Sequence, residues 1–213
     1  LEGFMTHADV DTVVREMRLA SRYIWSIPIV FDVSPEEIQE LGIKEGGRLL
    51  LAELDHGRVN EMGRAEVADW EELAGRVEGG AARALVTWSR KRTARGTPIF
   101  VAGANVTERH DWGLDAVRAH VRRQRDLMLR IRDLPVFHVA VVDGVALGWG
   151  TEFLLCCDWR IAGPHARFGL PETGLGILPG AGGTSDLWAS VGVPQALRLG
   201  MTGESIGAEE ALR

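Results

Sequence analysis

The chain has 213 residues, 46% of them hydrophobic and 25% charged, a globular composition with enough apolar side chains for one sizeable core or one domain with an appendage. Its formal net charge of -6 argues against general nucleic-acid binding, although Arg90, Lys91, Arg92 and Arg95 form a local basic loop. No apolar run nears the roughly 18 residues of a membrane span, and the opening LEGFMTHADVD lacks the basic start and apolar run of a secretion signal.

The only cysteines, Cys156 and Cys157, are neighbours. Their α-carbons lie about 3.8 Å apart and their side chains diverge, a poor geometry for a bridge. Without a disulfide framework or a secretion signal, a cytoplasmic protein is expected.

Val10, Val13, Val14 and Met17 recur at three- and four-residue steps and predict a helix over 8–22. A second helix is expected from Ser34-Pro35-Glu36-Glu37, where Ser34 caps, Pro35 suits the first helical position and Glu37 closes a capping box. Gly46-Gly47 then marks a border between a helical N-terminal appendage, residues 1–47, and a main domain, residues 48–213. That domain opens with a strand over 48–54 and a helix near 64–77 that buries Val67, Trp70, Leu73 and Val77.

Strands at 84–88 and 99–102 and a long helix at about 114–133 follow. Arg118, Arg122, Arg125 and Arg132 on that helix alternate with Asp115, Asp126 and Asp133, which reads as a solvated or subunit-facing side. The strand at 136–142 is apolar except for His138, read as a satisfied core histidine in a strand covered on both faces. Strand and helix alternate as in an α/β domain, and the sequence contains no internal repeat.

The stretch LGWGTEFLLCCD sets Glu152 between a Gly148-Trp149-Gly150 turn and an apolar helix. A carboxylate there suits the helix dipole, so Glu152 reads either as a plain cap or as a chemical group. Glu172 lies in FGLPETGLGILPGAGGT, a glycine- and proline-rich loop whose length without structure of its own points to function. Two carboxyls in apolar surroundings suit acid-base chemistry on water, one taking a proton while the other gives one. Ahead of both, Phe100 to Asn105 (FVAGAN) ends a strand in small residues, whose free backbone N–H groups suit an oxyanion.

FVAGANV, DGVALGWGTEFLLCCDWRIAGPHARFGLPETGLGILPGAGGT and LRLGMTGESIGAEEALR resemble the crotonase superfamily, the enoyl-CoA hydratases and isomerases, over roughly residues 48–213. The resemblance implies a crotonase-like ββα spiral of α/β class. It implies catalytic roles for Glu152 and Glu172 and an oxyanion hole made by the backbone N–H groups of Ala104 and Trp149. Gly180 matches a backbone donor to the catalytic water, while Ala102, Gly103, Asn105 and Gly148 match the substrate-binding lining. The implied partner is an acyl-CoA thioester, in a homotrimer or hexamer serving fatty acid metabolism.

No cofactor is expected beyond the coenzyme A of the substrate, and no metal, since the six histidines are scattered without ligand spacing. The basic loop reads equally as a partner for the coenzyme A phosphates and as a solvated loop.

The expected reaction is addition of water to a 2-enoyl-CoA. Double-bond isomerisation, thioester hydrolysis, carbon–carbon cleavage and a non-catalytic acyl-CoA-binding subunit stand as alternatives. Trp149 departs from the glycine usual in the family, so its indole must enter and narrow the acyl pocket or pack against a neighbour. Asn105 replaces the family's common aspartate. The ending at Arg213, inside an expected helix, reads as a segment of a longer chain.

Overall fold

The computed structural model describes residues 29–30 and 49–213 apart from residue 81. The helices expected over 8–22 and from Ser34, and the Gly46-Gly47 border, lie outside the described residues. Strands β2 (Leu49–Glu53), β3 (Ala84–Trp88), β5 (Phe137–Val142) and β7 (Trp159–Ala162) run parallel in one sheet. On its edge β1 (Ile29–Val30), within the segment read as an appendage, pairs antiparallel with β2. A second sheet joins β4 (Ile99–Val101), β6 (Val145–Leu147) and β8 (Arg167–Gly169) in parallel, with β9 (Ser205–Gly207) antiparallel at its edge.

Among the described residues the helices are α1 (Arg64–Glu78), α2 (Leu114–Arg132), α3 (Trp149–Leu154), α4 (Gly183–Thr202) and α5 (Ala208–Ala211). A strand of the first sheet, a strand of the second and a helix therefore recur as β3-β4-α2, β5-β6-α3 and β7-β8-α4. Parallel neighbours cannot be joined by a hairpin, so each crossover carries the second-sheet strand and the helix. This is the expected ββα spiral, and its repeat is structural, with no counterpart in the sequence.

Alternation along the strands of the first sheet sorts side chains to its two faces. Leu50, Ala52, Leu85, Ala140 and Val142 enter the main core with Trp70 and Leu73 of α1 and Leu127 and Ile131 of α2. Leu51, Val86, Trp88 and Val141 form a smaller cluster on the opposite face. Phe153 is the aromatic hub of the main core, with ring centroids 4.9 Å from Trp70, 5.5 Å from His138 and 5.5 Å from Trp149.

Several expectations need correction. Phe137, first in β5, is half exposed, so that strand is covered on both faces only beyond it. His138 is buried with Nε2 2.9 Å from Thr87 Oγ1, while Nδ1 has no partner among the described residues, so the ring is only half satisfied. The α2 arginines are not merely solvated. Of those named above, Arg132 donates to Asp186 of α4 at 2.7 Å and Arg125 to Ser185 Oγ at 3.3 Å, while Arg123 and Arg130, outside that reading, fork onto Glu71 and Glu78 of α1. In the basic loop, Arg90 forks onto Glu53 and Lys91 pairs with Asp55, so two of its cations already have acidic partners. The stretch read as a structureless loop begins in the end of β8, runs into α4 and holds a 3-10 helix, Pro171–Leu175, begun by a proline and ended by left-handed Gly176.

Asn60 ties the strand ends together and carried no signal in the sequence reading. It is fully buried with a left-handed φ of 56°. Its Nδ2 lies 3.1 Å from Leu54 O, 2.9 Å from Ser89 Oγ and 2.8 Å from Phe100 O, and its Oδ1 accepts from the His56 N–H at 2.9 Å. Asn60→Ala loses these bonds and strains the backbone, and should lower stability by about 3 kcal/mol in urea unfolding. Asn60→Gly, free of the strain, should lose less; equal losses would show that φ contributes nothing.

Candidate active site

The parallel pairing of β4 with β6 brings two chain exits together. Beyond β4, the Met62 N–H donates to Gly103 O and the Asn105 N–H to Met62 O, both at 2.9 Å. The Ala104 N–H between them therefore faces away from Met62, on the side where β6 lies. Beyond β6, the chain turns at Gly148, with φ 53°, straight into α3. A Cβ on Gly148 would lie 2.7 Å from Glu172 Oε1 and 3.8 Å from Gly103 Cα, so the turn is closely confined and admits only glycine. Trp149 follows as the first residue of α3, where a helix leaves its N–H groups without intrahelical partners.

The rest of GWGTEF seats this turn. A Cβ on Gly150 would meet Val101 O at 2.5 Å, so glycine lets α3 lie directly on β4. Thr151 Oγ1 lies 2.7 Å from Ala146 O and 2.9 Å from Gly169 O and accepts from the Gly169 N–H at 3.0 Å, fastening α3 to β6 and β8. Phe153 anchors the helix in the aromatic core. Of the two directions open to the Trp149 indole, the structure takes the second. The ring stacks on Phe153 at 15° within the main core and is 2% exposed, which corrects the expectation that it narrows an acyl pocket.

Glu152 is 3% exposed, and its Oε1 accepts the N–H groups of Ala181 and Gly183, each at 2.8 Å. Burial raises its pKa, against the lowering effect of those backbone donors, that of Gly182 and the charge of Arg125. Glu172, in the 3-10 helix, is half-buried; its Oε1 faces Gly148, and its buried Oε2 has no hydrogen-bond partner among the described residues. Burial pushes its carboxyl up to about 7, opposed by its own backbone N–H and assisted by the nearby charge of Glu152. Two carboxyls that sense each other, one clamped and one with a free oxygen, thus lie beside two chain exits that present N–H groups.

Of the remaining expected residues, Ala102 is held by its N–H to Val59 O at 3.1 Å, and buried Gly103 has a φ of 120°. The Asn105 side chain bonds within its own turn, with Oδ1 accepting from Thr107 Oγ1 at 2.6 Å and the Glu108 N–H at 3.2 Å, and so shapes the chain after β4. Gly180 is exposed, and a Cβ there would lie 3.3 Å from Val121 of α2. The donors to Glu152, Ala181 and Gly183, were missed in the sequence. They lie in the small-residue run GAGGT, whose backbone N–H groups become donors only through the tertiary contact with α3.

The family model described as enoyl-CoA hydratase/isomerase matches residues 93–213. A model described as a PUA-like domain matches residues 1–78, of which the part from residue 49 onward is β2 through α1 of the fold above. A probable mitochondrial enoyl-CoA hydratase 2 of Arabidopsis thaliana is 44% identical over 113 residues, 53% of this chain and 38% of that protein. A 2,3-dehydroadipyl-CoA hydratase of Escherichia coli K12 is 46% identical over 113 residues, 53% of this chain and 44% of that protein. The matched part thus spans less than half the length of either curated relative. The crystal structure of an enoyl-CoA hydratase from Bacillus anthracis superposes with a TM-score of 0.72 at 31% identity, covering 86% of this chain and 66% of that one.

A carboxyl whose folded pKa is raised binds its proton more tightly in the folded state, so folding stability falls as pH rises between the unfolded value of 4.5 and the folded value of about 7. Glu172→Gln should therefore be more stable than the parent at pH 8, with the difference shrinking toward pH 4 in urea titrations. A difference that is constant across this range would contradict the shift.

Proposed function

Because this chain belongs to the enoyl-CoA hydratase/isomerase family, we propose that it adds water across the conjugated double bond of a 2-enoyl-CoA thioester. The observation that carries the reading is the pair of unlike carboxyls, one buried and one half-buried, beside the two chain exits. In this reading the thioester oxygen lies between the Ala104 and Trp149 N–H groups. These donors stabilise the negative charge that develops there, and removing one such donor typically costs about 100- to 1,000-fold in rate.

Water lies between Glu152 and Glu172. Its oxygen bonds to C3 as Glu152, braced by Ala181 and Gly183, holds the water and takes its proton. Glu172, with a carboxyl near 7, has a protonated fraction at neutral pH and delivers its proton to C2 of the enolate. The water is consumed, and proton transfer between the carboxyls through solvent restores the starting state. Gly180 adds a backbone donor to the water, and Ala102, Gly103, Asn105 and Gly148 line the path of the pantetheine and adenine. The only cofactor in the scheme is the coenzyme A that the substrate carries.

Assembly as a homotrimer or hexamer belongs to the same proposal, supported by the exposed apolar side chains Trp188, Val193, Leu197 and Met201 of α4. So does a cytoplasmic setting, supported by two adjacent cysteines that are free and buried. No helix among the described residues is long and apolar enough to cross a membrane.

Loss of the conjugated enoyl-thioester absorbance on mixing the protein with a panel of 2-enoyl-CoAs tests the reaction. Glu152→Gln and Glu172→Gln should each lower kcat by about 100- to 10,000-fold while acyl-CoA binding persists. Binding without consumption by the parent protein would move the assignment to another reaction of the family or to a binding subunit. Full activity in either variant would overturn the two-carboxyl mechanism.

A further inference from the structure

One face of α2 runs along the segment that supplies the donors to Glu152. Val121, Arg125, Met128 and Arg132 recur at four- and three-residue steps, so they form one stripe of the helix. Val121 would meet a Cβ on Gly180 at 3.3 Å, and Arg125 donates to Ser185 Oγ at 3.3 Å. Met128 Sδ lies 3.7 Å from Cys156 Sγ, which donates to Glu152 O at 3.6 Å, and Arg132 donates to Asp186 Oδ2 at 2.7 Å. The stripe therefore grips both the end of α3 and the start of α4.

The contact of Arg125 continues inward. Ser185 Oγ donates to Gly182 O at 3.0 Å, and the Ser185 and Asp186 N–H groups reach the same oxygen at 3.0 and 2.9 Å. Gly182 O and the Gly183 N–H belong to one planar peptide group, so holding the oxygen fixes the direction of the N–H that donates to Glu152 Oε1 at 2.8 Å. Donation thus runs one way, from guanidinium to hydroxyl to carbonyl and across the peptide to the carboxyl, and each bond polarises the next.

Arg125 also differs from its neighbours in charge balance. Arg118, Arg123, Arg130 and Arg132 of α2 each pair with a carboxylate, whereas Arg125 makes no ion pair among the described residues and its charge bears on Glu152. No other titratable group beside Glu152 does the same work. Glu172 repels it when ionised, and the Cys156 thiol, pushed up to about 11 by burial, stays protonated. Arg132 is matched by Asp186.

We propose that Arg125 is a positioning residue for Glu152: through Ser185 it sets the Gly182–Gly183 peptide, and its charge keeps the carboxyl in the ionised form that takes the proton of water. The inference rests on the acid–base reading of the site and names what holds its base ready.

The test is 13C NMR titration of the glutamate carboxyls in the full chain, with the Glu152 resonance assigned by its loss in Glu152→Gln. Arg125→Met should move the Glu152 midpoint to higher pH, and Arg125→Lys should hold it close to that of the parent. Ser185→Ala, which cuts the relay and keeps the charge, should move it part of the way. A carboxyl that ionises later is a poorer base at low pH, so the parent-to-Arg125→Met ratio of kcat on a 2-enoyl-CoA should grow about three- to tenfold between pH 8 and pH 5.5. An unmoved midpoint in Arg125→Met would overturn the inference and leave the hydratase reading standing, since a merely structural arginine would lower kcat equally at every pH. A moved midpoint with no pH-dependent loss of kcat would show that Glu152 does not take the proton, and the acid–base reading would fall with the inference. If Arg125→Met fails to fold, Ser185→Ala decides, and an unmoved midpoint there overturns the relay.

Discussion

A carboxyl buried at the head of a short helix cannot stay there without donors, and the donors to Glu152 come from a segment about thirty residues away. Ala181 and Gly183 reach its Oε1 only because the β7-β8 crossover returns the chain over α3 before α4 begins. That contact closes the last turn of the spiral onto the one before it. Phe153 meanwhile anchors the helix that carries this carboxyl in the aromatic core. Position and protonation are thus set together, because the burial that orders Glu152 also raises its pKa.

The side proposed to hold the oxyanion depends on a similar convergence. Gly103 and Gly148 meet because β4 and β6 are paired, and Gly150 lets α3 rest on Val101 without a gap. Trp149 can stand where the family resemblance led to an expected glycine because, in the proposed reading, only its N–H is needed at the turn. Its indole goes into the core, where it extends the Phe153 cluster. The bulk that looked like an obstacle to substrate in the sequence therefore anchors the start of α3 in the core. Asn60 serves the opposite edge: it grips Phe100 O, while Val59 and Met62 bond to Ala102, Gly103 and Asn105, so the strand carrying Ala104 is templated along its length.

Much of this was legible in the sequence. Short, mostly apolar runs located β2, β3 and β5, and the 3.6-residue spacing of Val67, Trp70, Leu73 and Val77 located α1, because both patterns report directly on buried surface. The position of Glu152 in the first turn of a buried helix was readable from the glycines before it. The ββα repetition was reached through family resemblance alone, since it lies in connectivity and leaves no repeated residues. Partners that meet through tertiary contact were hidden. Nothing local marks Ala181 and Gly183 as donors, Asn60 as a knot between strands, or Arg123 and Arg130 as clamps between α1 and α2. The direction of the Trp149 indole was equally closed to inspection, because it depends on Phe153 being free to stack.

The central claim is that a thioester oxygen lies between the Ala104 and Trp149 N–H groups, beside the two carboxyls. The most direct measurement is the isotope-edited infrared spectrum of a 2-enoyl-CoA carrying a 13C-labelled thioester carbonyl, bound to Glu172→Gln so that turnover is slowed. Two preorganised donors should move the carbonyl stretch to lower frequency than in water, with the shift present only in the bound fraction. A bound thioester whose carbonyl absorbs where it does in water would place that oxygen elsewhere and contradict the assignment.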